Sequence, residues 1–505
     1  MRRPRLTALL RVELAALLTF VGLLVALGVQ QLHGQDQMVP LDVAALSTGP
    51  ARERWMGIFF EDQKVGYSVT RSSPTQDGGT IIEGRSRFRL AAFGTIQDII
   101  TAQAALTDAQ GRLQRFDFFM LTDQMRLSAR GEVQGNDIVM EVDNGGDSQT
   151  LRFPMSHPPS VDLSLEEVVR REGLAVGKHF EVPFFSPATM AEGTMRYDVT
   201  GVEVLENGEE AWWVDTEFDG VKTRQLVSPT GETLREEGAM GMSMVRMTAE
   251  EAQTMPASDQ AVDIIAKSAV PLHGRLREPR DTRHLVLQIQ GVGPERVWND
   301  PPLQLVTGDR VTVDVPLLAE LPSRPIRPGP DAVIDPAWID ATPTIQSSHP
   351  EIRTKAEAII AGATDRLDAA TRLERWVFEH VEKVPTFGVP SGIEVLHSGR
   401  GDCNEHTALY VSLARAVGIP TRIAAGVVFS DRVGDQGAFY YHAWPEVLVD
   451  EDAPEGAARW LPVDPTFGQV PADATHVKLV EGDLERQVEI LAVMGRLGFT
   501  LVEAR

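Results

Sequence analysis

From about residue 52 the chain alternates polar and apolar positions. "VGYSVTRS", "TIIEGRSRFRL", "RLQRFDFFML" and "DIVMEV" put roughly every second side chain on one apolar face, the period of a half-buried strand. Asp77-Gly78-Gly79, Asn136-Asp137 and Asn144-Gly145-Gly146 punctuate them as turns. The pattern predicts an antiparallel β region to about residue 155. It predicts a second over 178–247, through "HFEVPFF", "MRYDVTGVEVL", "AWWVDTEF" and "TRQLVS". Between them "SLEEVVRREG" reads as a short helix capped by Ser164 and stopped by Gly173. The turns Asp108–Gly111 and Ser228–Gly231 each lead towards a leucine, a hint of two tandem units. A smaller β segment is expected over 284–318. The proline-rich stretch after it reads as a linker or an arm laid over a neighbour.

After His349-Pro350 the period lengthens. Leu367, Ala370, Leu373, Trp376, Val377 and Val381 recur at three and four residues, which predicts a helix with Asp365 as N-cap. Trp376 and Phe378 are expected in the core. A loop containing Gly388, Gly392 and Gly399 then leads to "CNEHTALYVSLARAV", whose apolar residues cover more than one side of a helix. Gly418 and Pro420 close that helix. At the other end of the chain, Arg2, Arg3, Arg5 and Arg11 precede an uncharged run from Leu14 past Val29, extended by Gln30 to His33. That length approaches the ~20 residues of a membrane-spanning helix. The arginines would stay in the cytoplasm and send the rest across. An uncleaved anchor is expected; a signal peptide cleaved near Ala26-Leu27-Gly28 is the rival.

Composition changes the picture in two ways. The net charge of −24 leaves no basic excess to neutralise phosphates, so a nucleic-acid partner is not expected. Cys403 is the single cysteine, so no intrachain disulfide can form. It follows Gly-Arg-Gly-Asp and opens a helix, unlike a cysteine kept for packing. Helix N–H groups and the dipole should favour a thiolate there and receive an oxyanion after attack on a carbonyl.

A thiolate needs a base and a group to orient that base. "GAFYYHAWPEVLVD" sets His442 in a strand, and "RWLPVDPTFG" ends a second strand at Asp464. Alone, His442 reads as an ordinary strand histidine and Asp464 as a turn residue before proline; together with Cys403 they suggest a triad. A zinc site from Cys403, His406, His397 and His442 lacks the paired cysteines of a closed site, and neither metal nor cofactor is expected. His406 is read as packing beside the helix start, Trp444 and Trp460 as packing beside the strands, and Glu405 and Glu446 as hydrogen-bonding support.

The blocks "GDCNEHTALYVSLARAVGIPTRIAAG", "YYHAWPEV" and "WLPVDPTFG" resemble those of the transglutaminase-like superfamily. The resemblance implies that Cys403 is the nucleophile, His442 the base and Asp464 the orienting carboxylate, with Gly401, Arg415, Gly418, Pro420 and Arg422 shaping the helix and its exit. It implies a papain-like fold over roughly 340–480, and the upstream half is similar to bacterial cell-envelope members. The fold class expected is therefore α+β: an N-terminal transmembrane helix, antiparallel β-rich domains and a C-terminal papain-like domain. The domains expected are a cytoplasmic tip and anchor over 1–35, a β-rich extracytoplasmic region over 52–250, and a small β segment with linker over 251–339. The transglutaminase-like domain follows over 340–480, with an extension over 481–505. The function implied is acyl transfer at amide bonds of a peptide or protein, by a single-pass protein of the cytoplasmic membrane with its bulk periplasmic or extracellular. The alternative is a non-catalytic, peptide-binding envelope module.

Overall fold

The computed structural model describes residues 46–505 apart from short stretches, the longest being 156–164, 385–390 and 432–436. Strands hold 48% and helices 18%, so the α+β expectation is corrected to a mostly β chain. The reason is that strand segments run through nearly the whole described chain, while helices of ten residues or more among the described residues all fall within 350–416. No helix among the described residues is long and apolar enough to cross a membrane. The helix Arg366–His380, at fifteen residues, carries arginines, acids and a histidine along its exposed side. The anchor expected within 1–35 lies outside the described residues, as does most of the helix expected over 164–173.

Residues 52–263 build one 15-stranded sheet. Consecutive hairpins carry the chain from Arg52–Phe60 outward to Ser148–Pro154 at one edge. The chain resumes at the other edge, His179–Ser186, and returns by hairpins to Met242–Met247, which pairs antiparallel with Arg52–Phe60. The Asp108–Gly111 and Ser228–Gly231 turns share one hydrogen-bond pattern: Gly111 N–H donates to Asp108 O and Gly231 N–H to Ser228 O, both at 2.9 Å. Each glycine adopts positive φ, which its missing Cβ permits.

The C-terminal part is layered. Helices Pro350–Ile359, Arg366–His380 and Cys403–Ala416 share one core with Ile423, Val447, Leu461 and Val463. A four-stranded sheet runs in the order Trp460–Pro462, Ala438–Leu448, Thr421–Ser430, Val477–Glu481. A five-stranded sheet, which includes His284–Gln290, Arg310–Asp314 and the terminal strand Gly498–Ala504, meets it in a second core. That core contains Leu285, Leu287, Val427, Phe439 and Phe499. Flanked by both cores, Thr421–Ser430 is buried at nine of ten positions, which explains its unbroken apolar run. The proline-rich arm does lie over the helices: Arg366 N–H donates to Arg324 O, and Arg327 Nε to Val417 O at 3.1 Å.

Asp365 caps its helix, accepting from Asp368 N–H at 2.8 Å. Phe378 differs from expectation. It is 37% exposed, with Lys383 Nζ 4.1 Å from its ring centre, because its position faces the Gly468 turn rather than the helix core.

Gly426 lies opposite His442 in the sheet, where the strand Val477–Glu481 passes so close that a Cβ would sit 2.1 Å from Val477 O. Gly426→Ala must push that strand away. We expect a loss of about 1–3 kcal/mol, read as a lowered melting temperature, while alanine at Gly208, which has open space, leaves packing untouched and is strained only by its positive φ.

Candidate active site

Cys403 is the first residue of its helix. Asp402 caps it, accepting from Asn404 N–H at 2.9 Å, and Glu405 returns the favour on the Asp402 N–H at 2.9 Å. This capping box explains the local sequence. Gly401 must be glycine because a Cβ would lie 2.2 Å from Glu405 Cβ. Thr407 Oγ1 donates to Ala443 O at 3.1 Å, which locks the helix against the strand Ala438–Leu448. The Ala443 N–H in turn donates to the Cys403 sulfur, one residue from His442.

The thiol does not follow the sequence expectation. Burial pushes Cys403 well above its ordinary value, and the carboxylates of Asp402, Glu405 and Asp464 add to the effect against the single favourable Ala443 bond. The cap that makes the helix start is itself an anion beside the sulfur, and it uses N–H groups that would otherwise stabilise a thiolate. Cys403 is half-buried.

His442 donates from Nε2 to Asp464 Oδ2 at 3.0 Å, and its ring stacks on Phe467 at 5.1 Å and 11°. Asp464 has no exposed surface. Its Oδ1 accepts from the N–H groups of Thr466 at 2.7 Å and Phe467 at 3.0 Å. Burial opposes its charge, but His442 and His476 overcome that and hold the carboxyl well below the usual range.

Two participants escaped the sequence reading. His476 donates from Nε2 to the same Asp464 Oδ2 at 3.0 Å, and burial, which lowers it, is outweighed by Asp464 and Asp473, so it is pushed up to about 9. Its place in "DATHVKLV" carries no local signal beyond a histidine before an apolar strand. Glu374, on the Arg366–His380 helix, is buried with Oε1 unpartnered among the described residues. Burial and the nearby Asp464 raise it to about 7. The helical period places it beside core positions, yet nothing in it distinguishes a buried acid from an exposed one.

The other expected residues resolve as follows. His406 is buried with Nδ1 2.6 Å from Asp402 O, and His397 pairs with Glu351 at 2.9 Å on the surface, so the four zinc candidates are not gathered. His442, Asp464 and His476 are near enough to share a cation. Both imidazoles, however, aim Nε2 at one carboxylate oxygen, an arrangement of donors on an acceptor. Trp444 and Trp460 are buried, and Arg422 stacks 4.1 Å from the Trp460 ring centre. Arg415 donates to Thr421 O at 2.9 Å, tying the helix exit to the next strand. Glu446 does more than support: it accepts from Arg422 Nε at 2.7 Å and Lys478 Nζ at 2.8 Å, and despite its burial these cations hold it at about 2. Lys478 also meets Asp300 at 2.9 Å and Glu481 at 2.8 Å.

Glu374 generates a stability test. Its folded value of about 7 exceeds the 4.5 of an ordinary glutamic acid, so between those pH values the folded chain holds a proton that the unfolded chain releases. Stability is therefore lost as pH rises through that window. Glu374→Gln removes the loss. We expect the variant to gain on wild type between pH 5 and pH 8 by up to about 3 kcal/mol, measured by unfolding at both pH values; a constant difference would contradict the buried, protonating carboxyl.

Comparison with known proteins sets this geometry in context. No curated protein matches the chain. Among solved structures, a Cytophaga hutchinsonii protein provisionally named a cysteine protease overlaps 46% of this chain and 81% of its own, at 16% identity and TM-score 0.28. A β-barrel-like protein of Brucella abortus, from a domain family of unknown function, overlaps 39% and 95%, at 9% identity and TM-score 0.31. Likenesses this slight carry nothing about activity. A family model of the Transglutaminase-like superfamily matches residues 353–465, which include Cys403, His442 and Asp464. The chain thus carries, over residues 353–465, a domain of the Transglutaminase-like superfamily.

Proposed function

We propose that Cys403, His442 and Asp464 form the catalytic triad of a thiol enzyme that transfers acyl groups from amides. The observation that carries this reading is the Nε2–H of His442 held by Asp464 at 3.0 Å. It fixes the tautomer that leaves a lone pair on Nδ1 to take the thiol proton.

Because the resting thiol is pushed up, proton transfer to His442 accompanies attack rather than preceding it. Sulfur bonds to the amide carbon, and the Cys403 N–H, which the capping box does not use, donates to the developing oxyanion. His442 then gives its proton to the departing amine, which leaves an acyl thioester. Water or a primary amine releases the acyl group and restores the thiol. The substrate is a peptide or protein, either at a glutamine side chain or at a peptide bond. We place this activity outside the cytoplasm, on the strength of the arginine-led, uncharged N-terminal sequence.

The test is incubation with a labelled primary amine and a glutamine-containing protein, with peptide and ammonia release followed in parallel. We expect a thioester-dependent product with wild type, abolished in Cys403→Ala and lowered by roughly a hundredfold or more in His442→Ala. Binding of peptide without any product, unchanged in Cys403→Ala, would instead establish a non-catalytic binding module.

A further inference from the structure

His476 is fully enclosed, and both of its ring nitrogens face oxygen. Nδ1 lies 2.9 Å from Asp473 O, and Nε2 lies 3.0 Å from Asp464 Oδ2. A backbone carbonyl only accepts, so Nδ1 carries a hydrogen. Asp464 accepts as well: two backbone N–H groups point at Oδ1, two imidazoles face Oδ2, and the histidines hold the carboxyl ionised, well below the usual range. Nε2 of His476 therefore carries a hydrogen too.

We infer that His476 is an imidazolium at neutral pH that holds Asp464 ionised and sets the charge felt by the Cys403–His442 pair, which makes it a positioning residue of the site. This rests on the triad reading and deepens it. The groups facing His476 are Asp464, Asp473 and the neutral rings of Trp444 and Phe467, with His442 5.6 Å away between ring centres. Asp473 is in turn paired with Arg280 at 2.9 Å. Through Asp464 the set extends to Glu374 and Lys383. Asp464 and Asp473 are thus matched by His476 and Arg280. Without the His476 charge, one uncompensated negative charge stands behind His442.

The consequence has a definite sign. Each proton lost from the Cys403–His442 pair makes the pair one charge more negative. Removing a nearby cation therefore raises every apparent pKa of the pair, whichever group gives up the proton. A residue that serves packing alone would alter rates without moving these midpoints.

Cys403 is the single cysteine, so iodoacetamide consumption by the full chain reports it alone. The experiment measures alkylation rate against pH for wild type, His476→Gln and His442→Ala, together with imidazole ¹⁵N NMR of wild type at pH 7.5. We expect both His476 nitrogens to be protonated, and the alkylation midpoint to move up by about one pH unit in His476→Gln. An unchanged midpoint in His476→Gln, with wild type still dependent on His442, would overturn the inference and leave the triad standing. If wild-type alkylation ignores His442, the triad reading fails, and the inferred role fails with it. A singly protonated His476 ring overturns the inference without any variant, which covers the case in which His476→Gln does not fold.

Discussion

A carboxylate with no exposed surface must find in protein every partner that water would have supplied. Asp464 does so with both oxygens: backbone N–H groups of its own turn fill Oδ1, and two imidazoles converge on Oδ2. This one satisfied charge holds His442 by its Nε2 and takes a second imidazole donor from His476. The turn after Pro465 supplies the first pair of donors, while His442 arrives from a strand 22 residues away and His476 from the loop 12 residues on, just before the strand Val477–Glu481. Local chain geometry thus makes the carboxylate an acceptor, and the sheet decides what it accepts.

The sheet is held for this task by a second buried cluster. Arg422, Glu446 and Lys478 belong to three adjacent strands, and Asp300 and Glu481 complete their pairing. A slip of one residue in any of these strands would carry a charge to the opposite, apolar face, so the ion network and the two flanking cores specify the same register. That register places Gly426 against His442 and lets the strand that follows His476 approach. The cost of burying so many charges is offset only while each keeps its partners.

The resting chemistry of Cys403 emerges from the balance of these elements rather than from its helix start. The dipole end favours a thiolate, but the capping aspartate, its glutamate partner and Asp464 surround the sulfur with negative charge, and burial adds to them. The result is a thiol that keeps its proton more firmly than a free cysteine does.

Much of this was legible in order along the chain. Alternation announced the strands from residue 52, the three- and four-residue spacing announced the helix that Asp365 caps, and the His-Ala-Trp and Asp-Pro-Thr blocks carried the histidine and the carboxylate now found hydrogen-bonded. These signals are local: a period, a cap and a turn act within a few residues, so they are written where they act. Other features were decided by the tertiary structure. Phe378 turned outward to the Gly468 turn, His476 came to share Asp464, Glu374 was buried near it, and the thiol was raised instead of lowered. Each depends on distances between groups far apart in sequence and on how much water the folded chain excludes, and neither quantity exists until the layers have packed.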